Sequence, residues 1–505
     1  MQLPSNSSPA PRVLHVSQPV DGGVARVVTD LVKAQRAAGM DVHLACPDGG
    51  TLARSAGPVP VHPWAAARSP GPGLRAEVRD LARLVDAVRP TLVHAHSAKA
   101  GLAARVAVRG RVPTVFQPHA WSFEAVDGSV ALLARTWERH AARWTARTLC
   151  VSAAERETGR RAGIAGACSI VPNGIDPERF LPGERGVARA RLLGMDGGGG
   201  LVAADGAAGL RSAGDGAGLL AGSGLFAGDG GAGLLSADGA AALRSADDGA
   251  GLLAADDALW VVCVGRLCRQ KGQDVLLRAW PTVAARVPGA RLVLVGDGPE
   301  GTALRAQAEG LRVGAGAAAL PPGAAALRAE AAGTRAVAAA LRARAAALQA
   351  GATGSEGAVG AVPSVTFVGG VPSVTFVGAA DDTAPWYRAA DVVVQPSRWE
   401  GMALAPLEAM SCARPVVLTD VDGARESLPP AHHAHALVPP EDPAALADAL
   451  TALLRDPDLR ASLGAQGRAH VLDHHDVRRT AAAVEAVYRE LLGPAPTEHR
   501  ECSTT

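Results

Sequence analysis

Residues 389–420, AADVVVQPSRWEGMALAPLEAMSCARPVVLTD, decide the fold. Asp391 to Pro396 is a β-branched run halted by proline, too short for a helix, and reads as a buried strand. A polar loop, Ser397 to Leu404, follows and carries Glu400. Pro406 suits the first position of a helix, which predicts a short helix over Ala405 to Cys412. Arg414-Pro415 stops it, and Val416-Val417-Leu418 begins another strand. Glu400 and Glu408 thus flank a helix N-terminus, whose free N–H groups and positive dipole end suit an anion. A carboxylate there holds hydroxyl groups beside that anion, so a phosphate bearing a sugar fits. Singly, each glutamate has a plainer role: Glu408 complementing the helix dipole, Glu400 solvated in its loop.

Upstream the same alternation opens the chain. Val13 to Val16 is a strand, Ser17 to Gly23 a turn, Val24 to Ala38 an amphipathic helix ended by Gly39, and Val42 to Ala45 a second strand. This βαβ unit starts a parallel sheet with helices on both faces. Gly22 and Gly23 leave the strand-to-helix loop free of side chains, either as a tight turn or as a place where backbone approaches a ligand. Helices over Arg79 to Val88 and Ala98 to Val108 and strands over Thr91 to Ala95 and Pro113 to Gln117 follow. The last two end at His96 and His119, and ligands of open α/β sheets bind at the carboxyl ends of strands. Leu132 to Thr148 combines Trp137 and Trp144 with four arginines. It reads as a core-facing tryptophan stripe with a solvated basic face, and the alternative is a helix lying on an anionic membrane surface.

The chain has 505 residues, enough for two or more domains. With 50 Lys and Arg against 49 Asp and Glu, bulk attraction to nucleic acid is excluded. Seven cysteines are scattered without a C-x-x-C pair, which argues against a disulfide framework or a zinc site and fits a reducing cytosol. The N-terminal residues lack a signal-peptide core, and no apolar run is long enough to span a bilayer, so a cytoplasmic protein is expected.

Residues 194–257 repeat units such as GAGLL and SADGAAAL, too poor in large apolar groups to offset the entropy of ordering, and read as an insertion. The alanine- and arginine-rich stretch near 310–361 reads as a second. Leu259 to Gly265 is a buried strand leading to GRLCRQKGQ, where Arg266 and Lys271 put two cations at one strand end. Such a pair stabilises a departing diphosphate. Arg291 to Val295 is a strand that runs into GDGPEG, formally the G-x-G-x-x-G of dinucleotide-binding proteins. It does not open the first βαβ unit, and no acidic residue ends a second strand about twenty residues on, so an oxidoreductase reading has no other support. The octet VPSVTFVG occurs twice, at Val362 to Gly369 and Val371 to Gly378.

The spacing of Glu400 and Glu408 within EGMALAPLEAMSCARPVV resembles the E-x7-E signature of retaining glycosyltransferases of the GT-B fold, family GT4. GRL-x3-KG, PNGID at Pro172 to Asp176, GGVARVVTDLVKAQRAAGMDV and HAWSF are similar to other elements of that family. Ala403 and Ala413 depart from it, standing where members usually have glycine. The resemblance implies an α/β GT-B architecture, two facing Rossmann-like doubly wound parallel-sheet domains with a cleft between them. The expected domains are 12–168 on the acceptor side and 169–476 on the donor side, with helix 477–492 packing back across the junction. It implies catalytic roles for His119, Arg266, Lys271 and Glu400: Arg266 and Lys271 on the diphosphate, Glu400 on the donor sugar, His119 orienting sugar and acceptor. Glu408 would take the donor ribose, with Gly22, Gly23, Gly296 and Gly298 lining the donor site. The expected reaction is retaining transfer from a nucleotide-diphosphate sugar to an acceptor hydroxyl, with no cofactor and no metal. Among acceptors, lipid-linked compounds and small glycosides stay open, as does peripheral contact with the inner face of a membrane. The rival is a catalytically impaired sugar-nucleotide-binding or scaffold protein of the same fold.

Overall fold

Two parallel sheets form because short apolar strands alternate with amphipathic helices that cover both faces. The computed structural model describes residues 11–193, 258–318, 366–368 and 374–493. The expected insertion at 194–257 lies outside these residues, as does the expected insertion near 310–361 beyond 318.

The first sheet contains β1 (Arg12–Ser17), β2 (Asp41–Cys46), β3 (Val61–Pro63), β4 (Leu92–His96), β5 (Thr114–Gln117), β6 (Arg147–Cys150) and β7 (Cys168–Ile170). Their order is β3-β2-β1-β4-β5-β6-β7, and all pairs are parallel. Period-two alternation sends Val13, Val42 and Leu92 to one core, and Leu14, Val16, Val93 and Ala95 to the other. The division expected at 168/169 falls within β7, so the chain leaves this sheet only after Ile170.

The second sheet contains β8 (Leu259–Val264), β9 (Ala290–Val295), β10 (Thr366–Val368), β11 (Val374–Gly378), β12 (Val392–Gln395), β13 (Val416–Thr419) and β14 (Leu437–Val438), in the order β10-β11-β9-β8-β12-β13-β14. The second VPSVTFVG copy supplies β11, parallel to β9, and the first supplies β10, the one antiparallel strand among the described residues. Duplicating an octet of strand-forming residues has added an edge strand.

In each sheet the strand order reverses once, between β1 and β4 and between β8 and β12. Such a reversal parts the connections on either side and opens a crevice at the carboxyl ends. The segment after β7 crosses between the sheets, and Asn173 donates through Nδ2 to the Met402 carbonyl at 2.8 Å. Ile175 exchanges backbone hydrogen bonds with the returning chain at His475 and Val477. Helix Val477–Leu492 then packs on helix Gly22–Ala37, burying Val484, Val487 and Tyr488 in the first domain's core.

Two local expectations are corrected. The basic helix spans Gly128–Ala141, and Ala142–Trp144 is a separate 3-10 turn, so Trp144 is off the helix. Both tryptophans are half-buried with ring centres 6.4 Å apart, whereas Val130, Leu132 and Leu133 are exposed. The short helix spans Leu404–Ser411, which puts Pro406 at its third residue and Glu408 past its first turn. Glu408 therefore does not flank the helix N-terminus.

Candidate functional site

Glu400 sits at the end of β12 in a hydrogen-bonded nest. Gln395 Nε2 donates to Ser397 Oγ at 2.7 Å, and Ser397 Oγ donates to Glu400 Oε1 at 2.7 Å. Lys271 Nζ meets the same oxygen at 2.5 Å, and Gln270 Nε2 lies 3.4 Å from Oε2. The Lys271 side chain reaches that point because of Gly272. At φ +65°, a Cβ on Gly272 would lie 1.9 Å from the Pro396 carbonyl oxygen, so only glycine lets the two loops touch. Arg398 adds a bidentate pair to Asp274 at 2.8 Å on both arms, tying the Glu400 loop to helix Gln273–Arg286.

Arg266 stands on the loop after β8 with its guanidinium exposed, and among the described residues no carboxylate pairs with it. Gly296 and Gly298 form the floor of this loop. A Cβ on Gly296 would fall 2.1 Å from the Gly265 carbonyl oxygen, and one on Gly298 2.3 Å from that of Leu267. Their lack of side chains seats the Arg266 loop by backbone contact, with Leu267 N donating to the Asp297 carbonyl at 2.9 Å. Gly22 and Gly23 open helix Gly22–Ala37 and are exposed. A Cβ on either would meet nothing within 4 Å, so that approach is clear.

His119 faces these groups from the other domain. It and Ala120 hold left-handed backbone angles, φ +55° and +88°, and Ser97 at the end of β4 holds +75°. Such angles strain residues other than glycine by about 1–2 kcal/mol each and persist only when surroundings enforce them. Here buried Glu155 enforces the turn, accepting from Ala120 N at 2.6 Å and Val151 N at 2.7 Å. Burial pushes its carboxyl up to about 8 while those two donors pull it down. The Glu400 loop touches this turn directly: a Cβ on Gly401 would lie 2.9 Å from Ala120 N. Desolvation lowers His119 to about 3, so its ring is neutral at physiological pH.

Glu408 is placed differently from the other expected site residues. Arg26 of the first domain donates to Oε1 at 2.8 Å and the Tyr387 hydroxyl to Oε2 at 2.7 Å, so both oxygens already have protein partners. The structure thus gathers Lys271, Glu400 and the His119 turn at one junction, sets Arg266 on the loop that leads into Lys271, and engages Glu408 across the cleft. Sequence reasoning missed Ser397, Gln270, Glu155, Arg26 and Tyr387. Ser397, three residues before Glu400 in a tight loop, carried a legible signal. The others become neighbours only through tertiary contact.

Together these groups form a cation-and-carboxylate pair at the carboxyl ends of one sheet, with the His119–Ala120 turn of the other domain against the Glu400 loop. Such a pairing is chemically suited to an anion and a hydroxylated ring attached to it. The family model Glycosyltransferase Family 4 matches residues 21–179, and Glycosyl transferases group 1 matches 258–350 and 334–456. Similar curated proteins include the lipopolysaccharide core biosynthesis mannosyltransferase LpsB of Rhizobium meliloti (strain 1021), 38% identical over 108 residues, which are 21% of this chain and 31% of that protein. Another is a D-inositol 3-phosphate glycosyltransferase of Streptomyces bingchenggensis (strain BCW-1), 40% identical over 115 residues, 22% of this chain and 24% of that protein. The chain thus matches about a quarter to a third of these relatives' length. Among solved structures, Anabaena Alr3699/HepE in complex with UDP and glucose is similar at TM-score 0.60 and 17% identity, over 95% of this chain and 99% of that one. Sucrose-phosphate synthase from Thermosynechococcus elongatus has the same TM-score, 20% identity and the same coverage, and likenesses at such identity speak to the fold. With both domains matched by their family models and the two-sheet architecture shared, the chain belongs to the GT-B fold glycosyltransferases of family GT4, glycosyl transferases group 1.

Proposed function

We propose that the chain is a retaining, metal-independent glycosyltransferase that moves a sugar from a nucleotide-diphosphate sugar to an acceptor hydroxyl. One observation carries this reading: Lys271 and Glu400 meet at 2.5 Å where the Glu400 loop touches the His119–Ala120 turn of the opposite domain. Lys271 and Arg266 would stabilise the diphosphate as the glycosidic bond breaks, Glu400 would hold hydroxyls of the donor sugar, and His119 would orient sugar and acceptor. Glu408 would take the donor ribose after exchanging Arg26 for it. Gly22 and Gly23 leave room for the donor, and Gly296 and Gly298 support the loop that grips it. The solved complexes of Alr3699/HepE with UDP and with UDP-glucose favour a uridine nucleotide as the first donor to try.

The test is release of nucleoside diphosphate from a panel of nucleotide sugars. Lys271→Ala and Glu400→Ala are each expected to lower kcat roughly 100- to 1,000-fold, the usual effect of removing one preorganised charge-stabilising group. Wild-type binding without turnover would instead favour a scaffold. A peripheral membrane contact is supported by exposed Val130, Leu132 and Leu133 beside exposed Arg135, Arg139 and Arg143. No helix among the described residues is long and apolar enough to cross a membrane. Co-sedimentation with anionic but not zwitterionic vesicles, abolished in Leu132→Ser/Leu133→Ser, is the expected result; equal recovery with and without vesicles would rule the contact out.

A further inference from the structure

Four histidines converge beneath the cleft. His15 on β1 pairs in register with His94 on β4, and His94 and His96 share a face of that strand two residues apart. One ring nitrogen from each of His15, His94 and His96 lies within 4.8 Å of the others, the grouping of a metal-ligand set. The ring geometry points elsewhere. His15 Nδ1 and His96 Nε2 are 3.0 Å apart, with ring centres 5.3 Å apart and planes 15° from parallel. That centre-to-centre distance equals the nitrogen separation plus the two ring radii, the greatest it can be, so the rings point at one another along one line. An ion between them would need each nitrogen about 2.0–2.1 Å away, or roughly 4 Å between nitrogens in line, and there is no room for it.

The line continues outward. His96 Nδ1 lies 3.3 Å from His119 Nε2, with ring centres 5.5 Å apart and planes at 27°. It also continues inward, His15 Nε2 lying 2.8 Å from Gln35 Oε1. His94 stands beside the file, its ring centre 4.0 Å from that of His96 and its Nδ1 2.5 Å from the Tyr488 hydroxyl. Burial lowers His15 to about 4 and His119 to about 3, and lowers His96 well below its ordinary value, so each ring carries a single proton at neutral pH.

We propose that Gln35, His15 and His96 form a one-directional file of hydrogen bonds that sets the tautomer of His119, and so are positioning residues for glycosyl transfer. A carbonyl oxygen only accepts, so the Gln35 oxygen takes the Nε2 proton of His15 and leaves His15 Nδ1 bare. His96 must then donate from Nε2 and accept at Nδ1, and His119 must donate from Nε2. Nδ1 of His119 is left as its acceptor nitrogen, suited to the hydroxyl proton of a sugar or acceptor. The role in transfer rests on the proposed glycosyltransferase reading; the tautomer does not.

The experiment is long-range proton–nitrogen NMR on the full chain labelled with 15N-histidine, with His119→Asn used to assign the His119 signals. In wild type at pH 7, His15, His96 and His119 are expected as single Nε2–H tautomers. Gln35→Met removes the acceptor and should convert His119 to the Nδ1–H form or a mixture, whereas Gln35→Glu, an acceptor only, should keep Nε2–H. Turnover of the donor sugar by Gln35→Met should fall roughly tenfold in kcat with little change in KM, the scale at which second-layer partners act. Should Gln35→Met fail to fold, His15→Phe breaks the file at the same point and carries the same expectation. A His119 tautomer that stays Nε2–H in Gln35→Met, or histidine nitrogen shifts that move on addition of stoichiometric zinc, overturns the proposal. Altered tautomers without any turnover in wild type would leave the file standing and overturn only the transferase reading.

Discussion

At the scale of single residues, Ala413, where the family resemblance leads one to expect glycine, has a clear physical cost. Helix Leu404–Ser411 ends in a Schellman motif: Ala413 N donates to the Met410 carbonyl at 2.8 Å and Arg414 N to that of Ala409 at 3.0 Å. The motif needs a left-handed residue at position 413, and Ala413 adopts φ +56°. Glycine would do so without the clash of a Cβ. Ala413→Gly is therefore expected to stabilise the protein by about 0.5–1 kcal/mol, read as a raised urea midpoint, without changing turnover. Ala403 is different: its φ of −72° is ordinary for any residue. The same scale explains why local reading misplaces Glu408. Its distance from Glu400 is legible, but the helix starts one residue before the expected position, and Arg26, 382 residues away in the chain, is invisible to local reading.

Among elements, the helices at the domain junction show how the two halves are held in register. Helix Ala153–Arg161 presents its N-terminal N–H groups to the second domain, where the Glu426 carboxylate accepts from Ala153 at 2.7 Å and Ala154 at 2.9 Å. Thr158 on the same helix donates to Asp422 at 2.7 Å. A carboxylate satisfying orphan donors at a positive helix end contributes about 1 kcal/mol. Glu426→Ala should lower the unfolding free energy by that amount, read from urea melts, with Glu426→Gln in between; no change in either would show the contact to be energetically silent. Strand and helix identities near this junction were readable because their apolar spacing is strong. The short pieces were not: β3, β14 and helix Ala384–Ala389 are too brief for a period to emerge, and their pairing partners decide them.

For the whole molecule, the buried imidazoles make stability depend on pH. His15, His94, His96 and His119 all titrate below their ordinary value because burial disfavours their charged form, and His470 and His475 do so for the same reason. Unfolding restores the value near 6.5, so below that pH the unfolded chain binds more protons and stability falls as pH drops. Each fully buried imidazole contributes about 1.4 kcal/mol per pH unit within its window. Glu155, pushed up to about 8, Glu124, to about 7, and Asp30, to about 6, act in the opposite sense, because the folded state holds their protons. Below pH 6.5 the imidazoles outnumber these acids; above it their contribution runs out, and Glu155 and Glu124 are opposed by the Cys168 thiol, which its hydrogen bond with Cys150 lowers to about 7. The urea midpoint should therefore rise from pH 5 to about 6.5 and level off towards pH 8. A profile that is flat or falls steadily from pH 5 would show that the histidines are solvated. The packing of helix Val477–Leu492 onto the first domain belongs to this scale as well, since Tyr488 both fills that core and reaches His94.

By itself the sequence determined the strand–helix alternation of parallel sheets and the cations and carboxylate at the strand ends, while the two-domain plan came from the family resemblance of its motifs. The alternation and the charges follow from local periodicity, proline and glycine punctuation, and motif spacing, all carried by residues close in the chain. Only the tertiary structure decided that Glu408 is paired across the cleft, that Glu155 holds the His119 turn, and that Gln35, His15 and His96 stand in line behind it. These depend on which strands lie side by side and how two lobes meet, and such contacts between distant residues leave no local trace.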